Sequence, residues 1–419
     1  MSRSGWFRKQ QSLLDSDGTT AAEPSRSRRK GRRAAALTAS GAAVILLAGV
    51  AIIASASPGD HADPVSAAQA AAVRQAGPAV PLQVLSVTPA AGTKGVNGAA
   101  PIRVQFSAPL AANTPMPTLS PHMAGSWQVE GDTAVFTPAI GYFQNSKVTL
   151  KIPGGANGMI SVAGASAGSG GLLAANVTER FTTGSFRTLR LQQLLSQLGY
   201  LPLTWTATSQ TVIGPGNANA ELSAAYQPPG GTFSWKSGYP SSLTDQWKAG
   251  AANVLDVGAV RAFESVTGLT MDGVAGHTVW SDLLSAVAKG KDNPNGYTYA
   301  LASQYSPETL TIWHNGQVVL KTLANTGIPA SPTVDGTFPV YLKFYFSYMK
   351  GLNPDGTKYD DPVYYANYFN GGDAVHQFAR YSYGSYQSLG CVELPWDAAK
   401  TAYGYLSYGS LVTVTGPVA

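Results

Sequence analysis

A chain of 419 residues with a single cysteine cannot be cross-linked to itself, so its fold must rest on buried apolar side chains and backbone pairing alone. That cysteine, Cys391, closes the run Gln387-Ser388-Leu389-Gly390-Cys391-Val392-Glu393-Leu394, and His376 lies fifteen positions upstream (391 − 376). A thiol attacks carbon only as the thiolate, so it needs a base, and the oxyanion that forms needs backbone N–H groups nearby. A histidine and a Gly-Cys turn are able to supply both. The alternative for a lone cysteine is a small core hydrophobe.

The rest of the chain bears on this choice. Residues 1–33 carry nine basic side chains against Asp15, Asp17 and Glu23, a net +6, which leaves −1 for everything after them. The basic balance therefore belongs to a tail, and nothing points to a nucleic-acid-binding domain. Ala34 to Ala56 follows as 23 uncharged residues, long enough to span a bilayer. Basic residues before it predict a cytoplasmic N-terminus and an exported remainder. The expectation is thus a single-pass cell-membrane protein with a basic cytoplasmic tail (1–33), a transmembrane helix or signal anchor (34–56) and a linker (57–81). An unpaired thiol on an exported chain favours chemistry over packing.

From 82 to 184 short alternating runs recur between turns, among them Gln83-Val84-Leu85-Ser86-Val87, Ile102-Arg103-Val104-Gln105-Phe106 and Lys147-Val148-Thr149-Leu150-Lys151-Ile152. These predict a β-sandwich. Between 185 and 290 the period becomes helical, with Leu191, Leu194, Leu195 and Leu198 on one helix that Gly199 stops, and Val257 to Val266 on a second that Gly268 stops. Residues 297–417 return to β-type runs, hold sixteen of the twenty tyrosines, and contain Asn315-Gly316, a two-residue hairpin signal. The fold class expected is multidomain and mainly β, with a small α-helical unit in the middle.

Three resemblances attach to these segments. Ser86-Val87-Thr88-Pro89 with Val104 to Leu110 resembles a bacterial Ig-like domain. The order Leu-Gln-x-x-Leu, Leu-Gly-Tyr, Gly-Leu-x-x-Asp-Gly and Thr-x-Trp over 189–280 resembles a peptidoglycan-binding domain, interrupted by a long insert over 202–253 expected to act as a loop. Leu310 to Gly316, Ala324-Asn325-Thr326-Gly327 and Ser331 to Val340, together with His376 and Ser388-x-Gly390-Cys391, resemble the L,D-transpeptidase (YkuD-type) catalytic domain over 297–417. That resemblance implies a cysteine acyltransferase forming 3→3 peptidoglycan cross-links through a thioester, with release of D-alanine. Cys391 would be the nucleophile and His376 the proton donor and acceptor. Ser388 and Gly390 would shape the turn, with the Gly390 and Cys391 N–H groups on the oxyanion. The implied partners are donor and acceptor stem peptides, with carbapenem-type β-lactams as inhibitors, and no cofactor or metal is called for. The alternatives are a non-catalytic peptidoglycan-binding scaffold and an L,D-carboxypeptidase using the same thiol.

Two positions depart from the pattern. Leu389 stands where a histidine is usual, so only its backbone carbonyl is able to serve. Glu393 stands where arginine or asparagine is common and is expected either to reverse the charge near the thiolate, opposing its ionisation, or to select a different substrate end group. Asp373 is near enough in sequence to orient His376, and the tyrosines of 345–368 are expected mostly to pack the sheet and lid, with some lining a cleft as a lid over Cys391. His277, with no second ligand at zinc spacing, reads as a surface or capping residue.

Overall fold

The computed structural model describes residues 80–167, 170–208 and 217–417. The basic tail, the apolar run and nearly all of the expected linker lie outside the described residues. Among those residues no helix is long and apolar enough to cross a membrane.

The first unit is a two-sheet sandwich. Its strands are β1 (Val84–Thr88), β2 (Ile102–Phe106), β3 (Thr118–Ser120), β4 (Gly125–Glu130), β5 (Thr133–Pro138), β6 (Lys147–Ile152) and β7 (Val177–Thr182), with a short helix α1 (Val162–Ala167). One sheet runs β1-β2-β5-β4 and the other β3-β6-β7. Alternation sets the core: in β2, Ile102, Val104 and Phe106 are buried while Arg103 and Gln105 face water.

The middle unit is built from α2 (Thr188–Gln197), β8 (Leu203–Ala207), α3 (Ala218–Tyr226), β9 (Gly231–Trp235), α4 (Ser241–Thr244), α5 (Val254–Thr267) and α6 (His277–Lys289). α5 opens on a capping box between Asn253 and Asp256 and closes on Gly268 in the left-handed region, φ +74°. The 202–253 insert is no free loop. β8 and β9 pair as a ribbon, and Leu203, Leu222, Ala225, Tyr226 and Leu243 enter the same core as Leu194, Leu195 and Phe263. Glu221 of the insert holds Arg190 of α2 in a buried ion pair at 2.7 Å. The insert folds because it supplies apolar side chains that α2, α5 and α6 alone cannot cover.

That core does not stop at the unit's borders. It takes in Ala99 of the sandwich and Tyr297, Tyr299 and Leu411 of the last unit. Tyr226 donates to the Tyr142 carbonyl, the His277 ring lies on Phe143 at 4.2 Å, and Tyr299 donates to Ser242 Oγ at 2.9 Å. Gly238 and Gly316 meet backbone to backbone, where a Cβ on Gly238 would lie 2.0 Å from the Gly316 carbonyl oxygen.

Glu264 of α5 is fully buried and accepts the Gly273 N–H at 2.8 Å. Burial, reinforced by Asp272, pushes its carboxyl up to about 7. A raised folded-state value means that the folded state holds the extra proton, so stability declines as pH climbs from the ordinary carboxylate range through 7. Glu264→Gln keeps an acceptor for Gly273 and removes the charge. It is expected to raise Tm at pH 8 by about 2 °C and to flatten the dependence of Tm on pH between 5 and 8.

The last unit has two sheets. Strands β10 (Thr298–Ser303), β11 (Thr309–His314), β12 (Gln317–Leu323), β13 (Gly336–Pro339) and, from the C-terminus, β18 (Leu411–Thr415) form one, in the order β12-β11-β10-β18-β13. β14 (Leu342–Leu352), β15 (Lys358–Asn370), β16 (Asp373–Gln377) and β17 (Val392–Leu394) form the other in sequence order, and α7 (Trp396–Tyr405) follows β17. Asn315 and Gly316 both take positive φ, 49° and 79°, the conformation a two-residue hairpin requires. Ala300, Ile312, Val375, Val392, Leu394, Ala399 and Val412 are completely buried in the core of this unit. Two bridges tie the sheets together, Asn325 with Glu393 and Gly327 with Ser388.

Candidate active site

β16 and β17 run parallel with Val375 opposite Val392 and His376 opposite Glu393. Side chains alternate along a strand, so Ala374, His376, Cys391 and Glu393 share one face, and the turn before β17 brings Cys391 to the strand that carries His376. Strand pairing therefore puts the two predicted reactive residues on one face of the β16–β17 pair.

The turn is fixed from three sides. Ser388 Oγ donates to the Cys391 carbonyl at 2.6 Å, and the Gly390 N–H donates to Ser388 Oγ at 3.2 Å. Ser331 Oγ donates to the Leu389 carbonyl at 2.9 Å, so leucine serves there through its backbone. The Gln387 and Ser388 N–H groups both donate to the Thr326 carbonyl, and Thr326 is gripped in turn by the buried Glu308 through its N–H and its hydroxyl, at 2.6 and 2.9 Å. Gly390 sits at φ +119°, and a Cβ there would lie 2.5 Å from Asp373 Oδ1. Only glycine fits.

His376 is 2 % exposed, and its Nδ1 lies 2.8 Å from the Gln377 carbonyl. A carbonyl accepts only, so Nδ1 carries the proton and Nε2 keeps its lone pair. The Gln377 carbonyl thus does the orienting expected of Asp373, whose carboxylate lies against Gly390 instead. Burial holds the imidazole below its ordinary value, so it is neutral at pH 7.

Cys391 is half-buried. Its Sγ lies 3.8 Å from the Gly372 carbonyl, to which it donates, and 3.9 Å from Met349 Sδ. No hydrogen bond joins it to His376 among the described residues. Burial first, then the Asp373 carboxylate, pushes the thiol well above its usual range; the Ala374 N–H opposes them and the Glu393 charge adds to them. At rest the pair is a neutral thiol and a neutral imidazole.

The expected lid is the β14–β15 hairpin, in which Met349 pairs with Asp361. Met349 covers the thiol, and Tyr341, Tyr359 and Tyr368 stand close enough that ionised Cys391 would raise their hydroxyls. Other tyrosines of the hairpin pack away from the thiol, with Tyr364 and Tyr365 against Trp396 at 5.0 and 5.3 Å.

Glu393 does oppose the thiolate, as its charge leads one to expect, but it does not stand alone. Arg380 meets its carboxylate with two bonds of 2.7 Å, from Nε and Nη2, and Glu393 is buried beneath it. Thirteen residues and a turn separate the two, and nothing in their spacing announces the pair. No group of three or more metal-binding side chains occurs among the described residues.

A thiol and an oriented imidazole thus share one face of the β16–β17 pair, beside a glycine-locked turn and under a hairpin. Residues 298–414 match the L,D-transpeptidase catalytic domain, YkuD, and residues 78–183 match the bacterial Ig-like domain, Big_5. The chain thus carries a catalytic domain of the L,D-transpeptidase family behind an Ig-like domain. No curated protein matches it. Among solved structures it is similar to an L,D-transpeptidase from Mycobacterium smegmatis at 17 % identity, over 80 % of this chain and 100 % of that one, with a TM-score of 0.27. It is also similar to the catalytic domain of the Enterococcus faecium L,D-transpeptidase, at 30 % identity over 28 % of this chain and 96 % of that one, TM-score 0.27. A third is L,D-transpeptidase 3 from Mycobacterium tuberculosis in complex with a faropenem-derived adduct, at 17 % identity over 80 % and 98 %, TM-score 0.27. Neither of the two family matches covers the helical unit.

Proposed function

We propose that this protein is a peptidoglycan L,D-transpeptidase using Cys391 as nucleophile and His376 as base. The observation that supports this is the parallel register of β16 and β17, with Cys391 and His376 on one face and the imidazole tautomer fixed by the Gln377 carbonyl. The thiol leaves the Gly372 carbonyl and passes its proton to His376 Nε2 as Sγ attacks the amide carbon before the donor's terminal D-alanine. The Gly390 N–H is already engaged by Ser388 Oγ, so the Cys391 N–H is the amide assigned to the oxyanion. The C–N bond breaks, the imidazolium protonates the departing D-alanine, and a thioester remains. A side-chain amine of a neighbouring stem then attacks the thioester and gives its proton to His376. Sγ leaves and regains a proton, and a 3→3 cross-link is released. Splitting one amide exchange into two acyl transfers lowers both barriers. Ser388 and Gly390 hold the turn.

The helical unit is assigned to wall binding and the uncharged run 34–56 to a membrane anchor, which would put the site outside the cytoplasm. β-Lactams of the kind bound to the structural relatives would acylate the same thiol. Intact-mass measurement after carbapenem exposure is expected to show one adduct on the wild type and none on Cys391→Ala, and tetrapeptide stems are expected to lose D-alanine. An adduct that persists in Cys391→Ala, or no adduct on the wild type, overturns the proposal in favour of a wall scaffold. Tripeptide products without dimers would make it a carboxypeptidase.

A further inference from the structure

The site described above holds a buried carboxylate on the same strand face as the nucleophile. Glu393 is 4 % exposed, two residues past Cys391 and opposite His376. Unpaired, it would oppose thiolate formation, since a like charge nearby disfavours the ionised form. The carboxylates that bear on the thiol and the imidazole are Asp373 at the head of β16, Asp361 on the hairpin and Glu393 itself; Arg380 is the cation among them. Tyr341, Tyr359, Tyr368 and Tyr383 complete the titratable surroundings.

Arg380 is tied to more than the carboxylate. Its Nη2 also donates to the Gln387 carbonyl at 3.0 Å, at the base of the turn that carries Cys391. The guanidinium carbon lies 4.6 Å from the centre of the Phe378 ring, and Phe378 stands edge-on to His376 at 6.1 Å. One side chain therefore touches the partner strand, the nucleophile's turn and the ring that borders the base. Lysine offers a point charge and cannot reproduce this fork.

We propose that Arg380 is a positioning residue of the acyl-transfer site: it pairs with Glu393 and clamps the Gln387–Cys391 turn, so that Glu393 opposes ionisation of Cys391 less than an unpaired carboxylate would. The pair is a reciprocal arrangement in which the cation of the site comes from the segment after β16 and the anion from β17.

The inference rests on Cys391 being the reactive thiol, yet its test does not require transpeptidation. Cys391 is the sole cysteine, so alkylation by iodoacetamide, in which the thiolate displaces iodide from carbon and leaves a thioether, reports its ionisation alone. The rate is followed by intact mass from pH 6 to 10 on the full chain, with circular dichroism to confirm folding. Arg380→Gln is expected to slow alkylation about tenfold at pH 8 and to move the profile up by about one pH unit. Glu393→Gln, which leaves the cation, is expected to move it down. Arg380→Gln combined with Glu393→Gln is expected to return it close to the wild type, and Arg380→Lys to recover most of the shift. If Arg380→Gln fails to fold, Glu393→Gln and the double variant still decide. An unmoved profile in Glu393→Gln, or a double variant as displaced as Arg380→Gln, overturns the proposal and leaves Arg380 a structural clamp. Loss of carbapenem adducts on the wild type, with these shifts intact, would count against transpeptidation and not against Arg380.

Discussion

Gly390→Ala is expected to reduce acylation of Cys391 by a carbapenem at least a hundredfold while leaving the rest of the chain folded. Two costs combine. The backbone at φ +119° lies where an L side chain strains by about 1–3 kcal/mol, and the new Cβ would approach Asp373 Oδ1 to 2.5 Å. The turn must shift to relieve them, and it carries the nucleophile. A displacement of about 1 Å is worth a factor of about a hundred in a reaction that depends on attack geometry. Adding Asp373→Ala removes the close contact and leaves the backbone strain, so it is expected to recover part of the rate. Stopped-flow acylation with circular dichroism as a folding control measures both. A Gly390→Ala enzyme acylated at the wild-type rate would mean that the turn does not set the thiol's position.

His376→Gln is expected to slow acylation by about a thousandfold at pH 7, within the usual contribution of a positioned base. The pH dependence is more diagnostic than the loss. Burial holds the imidazole below its ordinary value and pushes the thiol up, so under the proposed mechanism the wild type is expected to work between pH 6.5 and 8 by proton transfer from a neutral thiol to a neutral imidazole. Its rate is expected to stay level down through pH 6.5 and fall only below it. The variant has no base, so its rate is expected to climb about tenfold per pH unit across the same range, following free thiolate. The same depression sets a stability trend. The unfolded chain binds the histidine proton more readily than the folded one, so this residue's contribution to stability is lost as pH falls below about 6.5. A wild-type acid limb above 6.5 would identify the imidazole as a stored cation and assign the resting site to an ion pair.

Local chemistry made part of this site legible in the sequence. Cys391, His376, Ser388 and Gly390 stand out because each needs a residue type that nothing else replaces, and Asn315-Gly316 announces its hairpin by tolerating two positive φ values. Leu389 was also readable, since a backbone carbonyl survives any side chain, and Ser331 takes it up. What escaped depends on tertiary pairing. Glu393 was legible as a charge opposing the thiolate, but its partner Arg380 was not, because the two meet only when the segment after β16 folds back over β17. Asp373 looked like the orienting acid by proximity, yet His376 uses the carbonyl of its own neighbour. Glu308 gave no signal at all: it reaches the nucleophile's turn through Thr326, eighteen residues away in sequence. The insert at 202–253 broke a familiar order of motifs, and its apolar residues revealed their purpose only as part of a common core.

That common core has a mechanical consequence. Because Ala99, Phe263 and Leu411 belong to one cluster, the sandwich, the helical unit and the catalytic unit cannot swivel about flexible joints. Turning one unit against another would expose that shared apolar surface to water, so the junctions resist it.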